Sequence, residues 1–146
     1  MSQYFHSPED YELFLYTLTD QFSSIRHSTI AFIRRGTSLA RVSGELHFDR
    51  EIRVRERLLY DRLPVVMDWY GYEVWRGDEK LYWYDSQPHP DDPLLETTHP
   101  HHKHIPPDIK HHRIPAPDLS FTQPNLPVLI REIEGLTQEI VSEDQI

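Results

Sequence analysis

The stretch LARVSGELHFDREIRVRERLL, Leu39 to Leu59, decides the fold. From Leu39 to Phe48, Ala40, Val42, Gly44 and Leu46 fall on one side and Arg41, Ser43, Glu45 and His47 on the other. From Glu51 to Leu59, Ile52, Val54 and Leu58 stand opposite Arg53, Arg55 and Arg57. Alternation at period two is the mark of a half-buried strand. Joining the two runs through a tight loop at Phe48-Asp49-Arg50 brings Leu46 beside Ile52 and Glu45 beside Arg53, with one apolar face and one charged face. Glu56 breaks the pattern, because it falls on the apolar face between Val54 and Leu58. A carboxyl there is either a base with a raised pKa or the sign of a strand end or bulge.

Working outward, Ser7 is placed to cap a helix with Pro8 in its first turn, and Tyr11, Phe14, Leu15, Leu18 and Phe22 give an apolar stripe over residues 8–23. Ser28 to Arg35 is rich in β-formers and ends at Gly36. Beyond Pro64, Val65 to Trp75 is a further strand, with Gly71 as a bulge or a close approach; Gly77-Asp78 is a turn, and Lys80 to Asp85 is a short aromatic strand. The expectation is an α+β domain spanning residues 1–146: an N-terminal helix, an antiparallel meander of about five strands over 28–85, and a C-terminal helix over 125–141. Asn125 caps that helix, and Leu126, Leu129, Ile130, Ile133, Leu136 and Ile140 form its stripe. Between sheet and helix the composition changes. Ten of the twelve prolines lie from Pro88 to Pro127, and seven of the ten histidines from His89 to His112, so residues 87–124 are expected to be a long loop.

Eight Tyr, three Trp and six Phe supply a core for a 146-residue chain. Absence of Cys excludes disulfides, thiolate metal sites and a Cys nucleophile. Met1 to Asp10 lacks the basic-then-apolar pattern of a secretory signal, and no run is long enough to span a membrane, so a cytoplasmic protein is expected. The net charge of −9 argues against a general nucleic-acid binder, but His99 to Arg113 is locally +2 before its six histidines are counted.

That segment holds the tools for phosphoryl transfer. His101, His102, His104 and His111, with Lys103, are candidate acid–base groups; Lys110 and Arg113 are candidates to hold a phosphate, and Asp108 to orient an imidazole. RNA supplies its own nucleophile in the 2′-hydroxyl, so RNA is the expected substrate and no cofactor is required. A solvated connector is the alternative. So is a metal site: His99-x-His101, His101-x-x-His104 and His111-His112 offer imidazoles to Zn, although Lys103, Lys110 and Arg113 would repel a cation. Arg53, Arg55 and Arg57 form a cationic ladder, about 7 Å per step. Arg53 and Arg55 are substrate-binding candidates, while Glu45, Glu51 and nearby acids would neutralise part of the ladder. Tyr70, Tyr72, Tyr82, Trp83 and Tyr84 are candidates to stack bases, or are core residues.

The runs Glu79-Lys-Leu-Tyr-Trp-Tyr-Asp85, Gln87-Pro-His-Pro-Asp91 and His99 to His111 resemble the TumE family of toxin–antitoxin proteins, and the likeness extends to Ser7–Tyr11 and Asn125–Pro127. The resemblance implies the toxin of a type II module with a cognate protein antitoxin as partner. Its fold is compatible with small ribonuclease toxins, and a homodimer is a further expectation. The resemblance assigns no site residues; the candidates above come from the chemistry of the segment.

Overall fold

A computed structural model describes residues 3–144, with side chains as far as Leu136. After a single 3-10 turn at Gln3–Phe5, the chain forms α1 (Pro8–Tyr16) and the one-turn α2 (Leu18–Gln21). Strands β1 (His27–Ser28), β2 (Ala31–Arg35), β3 (Leu39–His47), β4 (Glu51–Leu59), β5 (Val66–Arg76) and β6 (Glu79–Asp85) follow. A second 3-10 turn at Pro93–Thr98, β7 (His102–His104), β8 (Arg113–Pro115) and α3 (Leu126–Asp144) complete the chain. All eight strands belong to one antiparallel sheet in the order β1-β3-β4-β5-β6-β7-β8, with β2 also on β3.

The central hairpin has the expected register, with Leu46 opposite Ile52 and Glu45 opposite Arg53. Its inward residues Ala40, Val42, Leu46, Ile52, Val54 and Leu58 are buried. They pack with Tyr11, Phe14, Leu15 and Leu18 from the N-terminal helices and with Leu126, Leu129, Ile130 and Ile133 of α3. Both helices therefore cover the same face. Over β3 to β5 the other face stays open, with Arg41, Ser43, Arg53, Arg55 and Trp69 exposed.

The structure departs from expectation at particular residues. The helix over 8–23 starts as expected, the Ser7 hydroxyl accepting from the Asp10 amide at 3.1 Å. It breaks at Thr17, whose hydroxyl shares the Leu13 carbonyl with its own N–H, at 2.8 and 3.1 Å. The strand over 28–35 is two pieces. Between them Thr29 closes on Gly44, where a Cβ would lie 2.5 Å from the Thr29 carbonyl oxygen and φ is +138°. Gly71 sits in regular register between Arg55 and Asp85. The bulges fall instead at Arg57/Leu58 and Val74/Trp75, and the first leaves Asp68 free to take Arg57 in two bonds of 2.8 and 2.9 Å. Asn125 opens α3 with its carbonyl, but its side chain does not cap: Oδ1 accepts from the Ser120 amide at 2.9 Å and Nδ2 donates to the Tyr72 hydroxyl at 3.2 Å. The Ile140 position of the stripe lies outside the described side chains. Most consequential, residues 87–124 are not one loop, because β7 and β8 add two short strands to the sheet beyond β6.

Candidate functional site

The pairing of β7 with β6 builds the site. Asp85 stands opposite His102, Tyr84 opposite Lys103 and Trp83 opposite His104. Side chains alternate across a strand, so His102 and His104 lie with Asp85 and Trp83 on the sheet face away from the helices, where both rings are buried (0% and 4% exposed), and Lys103 points to the helix-covered face. Asp85 Oδ1 lies 2.9 Å from His102 Nε2 and Asp85 Oδ2 lies 3.3 Å from His104 Nε2. The two Nε2 atoms are 3.1 Å apart.

Backbone carbonyls fix both rings. His102 Nδ1 donates to the Pro100 carbonyl at 3.0 Å and His104 Nδ1 to the Ile109 carbonyl at 2.8 Å. A carbonyl can only accept, so each Nδ1 carries the proton and each Nε2 of a neutral ring offers its lone pair to the centre. The Trp83 indole stacks on His104, centroids 3.9 Å apart, and its N–H donates to Asp85 Oδ2 at 3.0 Å. Burial acts to raise the Asp85 carboxyl, but the bonds to His102 and His104 outweigh it and hold the group well below the usual carboxylate range. Burial opposes charging of His102, yet the bond to Asp85 prevails and raises its pKa. His89 meets His102 edge-on at 4.8 Å, and the Arg113 guanidinium lies 2.7 and 2.9 Å from the two ring nitrogens of His89.

The other candidates lie apart from this centre. His101 turns to the covered side, where its Nδ1 and the Tyr70 hydroxyl are hydrogen-bonded at 2.6 Å and its ring meets Phe121. Burial lowers its pKa. Lys103 bonds Glu132 of α3 at 3.2 Å and lies over the Tyr82 ring. His111 and Asp108 pair with each other at 3.0 Å in an exposed turn, and Lys110 beside them is exposed. Among the arginines, Arg53 bonds Glu51 at 2.8 Å and rests on Trp75, and Arg57 is held by Asp68. Arg55 has no ion pair among the described residues; nor do Arg35 and Arg41. These three line a groove of about 430 Å³ with Ile33, Arg57 and Trp69. Tyr70, Tyr72, Tyr82 and Tyr84 are buried core residues, which leaves Trp69, Trp75 and Trp83 as the tryptophans of the opposite face.

Asp85 and His89 are not among the site residues expected from the sequence, and Trp83 is among them only as a base-stacking candidate. The signal for Asp85 was present: His102-x-His104 has strand spacing, as has Trp83-x-Asp85. What was hidden was that β7 exists and pairs with β6. Glu56 is neither at a strand end nor at a bulge. It is fully buried and accepts from Tyr11 at 2.6 Å and from Tyr72. Burial raises its pKa to about 7 against the lowering effect of those two hydroxyls.

Fold and site together define a small α+β protein with one helix-covered sheet face and one open face, on which an imidazole–carboxylate centre adjoins unpaired guanidinium groups. The model of the family described as toxin TumE matches residues 15–137, and the chain belongs to that family. It is the toxin of a toxin–antitoxin module, and its partner is an antitoxin. Neither the curated proteins nor the solved structures give a match. No helix among the described residues is long and apolar enough to cross a membrane.

Proposed function

We propose that this toxin acts on RNA, binding the strand along the open sheet face and cutting its phosphodiester at the Asp85–His102–His104 centre. One observation carries the reading. Ser43, Arg55, Gly71, Asp85, His102 and Pro115 form a single cross-strand row. Within it an unpaired guanidinium stands two strand spacings, roughly 10 Å, from the reactive centre. Gly71 between them has no side chain, and the exposed Trp69 indole lies beside that position, within 3.6 Å of where a Cβ would stand.

The division of labour follows from chemistry. Arg41 and Arg55 attract phosphates, and Trp69 offers an exposed ring for a base. Arg113, in register with His104, stands beside the centre as a source of positive charge for a phosphate whose charge grows as the bond breaks. The two imidazoles can assist the 2′-hydroxyl as acid and base without a metal, or as ligands of a cation that activates it. The anchoring of both Nδ1 atoms on backbone carbonyls, which turns both Nε2 atoms to the carboxylate, favours the second.

Purified protein incubated with end-labelled RNA tests the reading. Cleavage by the native chain, lost in Asp85→Asn and His104→Ala, is the expected result. Intact RNA under conditions where the same protein arrests growth would refute it.

A further inference from the structure

We infer that Asp85, His102 and His104 form a binding site for a divalent first-row transition metal, with open positions for water or a phosphate oxygen. The inference concerns the same centre as the proposed ribonuclease, but it does not require RNA to be the substrate.

Three features of the geometry support it. The donor atoms sit where ligand atoms would. For metal–ligand bonds near 2.1 Å, neighbouring ligand atoms lie roughly 3.0 Å apart around an octahedron and roughly 3.4 Å around a tetrahedron. The separations here are 2.9, 3.1 and 3.3 Å. Both Nδ1 atoms are committed as donors to the Pro100 and Ile109 carbonyls, so both Nε2 atoms are left turned toward the carboxylate in a nearly buried space, where a proton or a metal cation is the positive partner they can share. The surrounding contacts are of the kind that orient ligands. Each imidazole is held through its second nitrogen, and the carboxylate takes the Trp83 N–H. Two imidazoles and one carboxylate leave positions for exchangeable ligands, as a metal that handles a substrate requires.

The fold also removes the main objection from sequence, the nearby cations. Lys103 is on the opposite face bound to Glu132, and Lys110 is exposed in the turn that follows β7. Arg113 alone stays near, engaged by the ring nitrogens of His89. Ions can enter past Asp85, whose side chain is 22% exposed. The second imidazole–carboxylate group, Glu45, His47 and Glu51, has no ring anchored to the backbone and lies at the rim of the hairpin.

The test uses the full chain stripped with chelator, then titrated with Co²⁺ or Zn²⁺ and followed by calorimetry and by the visible spectrum of bound Co²⁺. One ion per chain is expected. Asp85→Asn, His102→Ala and His104→Gln should each weaken affinity tenfold or more, whereas the surface double variant His99→Ala/His112→Ala should leave it within twofold. Circular dichroism of each variant confirms that it is folded. Absence of a stoichiometric site, or binding equally strong in folded variants of all three residues, would overturn the inference. RNA cleavage that persists in excess chelator would also overturn it while leaving the ribonuclease reading intact. One bound ion with no action on RNA would support the site and remove the ribonuclease.

Discussion

Replacing Glu56 with Gln should change how stability depends on pH. The carboxyl is buried between Tyr11 and Tyr72 with a pKa of about 7, against 4.5 for an ordinary glutamate. Between those values the folded chain holds a proton that the unfolded chain has lost. Stability from this group is therefore fully present below pH ~4.5, declines as pH rises, and is gone once pH passes the folded pKa. At about 1.4 kcal/mol per unit, the displacement corresponds to roughly 3 kcal/mol between the two limits. Gln is neutral throughout and near in shape, although only one of its two terminal atoms accepts a hydrogen bond. In urea denaturation from pH 4 to 9, native protein should hold its advantage over Glu56→Gln at the acid end. The gap should narrow or reverse by roughly 3 kcal/mol at the alkaline end. Titrations elsewhere, including those at the open-face centre, are common to both chains and cancel in the difference. A difference that stays constant across the range would refute the argument that burial governs this carboxyl.

Gly44→Ala should destabilise by about 3 kcal/mol or more, measured by thermal or urea unfolding, because its Cβ would press on the Thr29 backbone at a positive φ. Ser7→Ala removes the acceptor for the Asp10 amide and should cost about 1 kcal/mol in the same assay. Arg41→Ala combined with Arg55→Ala should lower the slope of log affinity for single-stranded RNA against log salt by about 1.4. Binding titrations at several salt concentrations measure it, and an unchanged slope would show that the groove does not meet the strand.

The sheet was legible where alternation and turn chemistry agree. The β3–β4 register could be read residue by residue because a one-residue slip would have buried Arg53 and Arg55 and exposed Ile52 and Val54. The division of the first strand was hidden, since it depends on Thr29 closing over Gly44 from a distant part of the chain. The site was half legible. The segment was identified by its imidazoles, but three-residue strands such as β7 and β8 are too short to show a period, and prolines mask them further. Without β7 there was no reason to separate His102 and His104 from His101 and Lys103, or to join them to Asp85. The arginine ladder shows the same limit: Arg53 and Arg57 are neutralised by Glu51 and by Asp68, and the second partner is available because of a bulge.

Growth arrest on expression without the antitoxin tests most directly whether the open-face centre is where this toxin works. Native protein should stop growth, and His102→Ala and His104→Ala, at equal soluble levels and with native circular dichroism, should each restore it. Arrest that continues undiminished in a folded His102→Ala/His104→Ala chain would contradict the account.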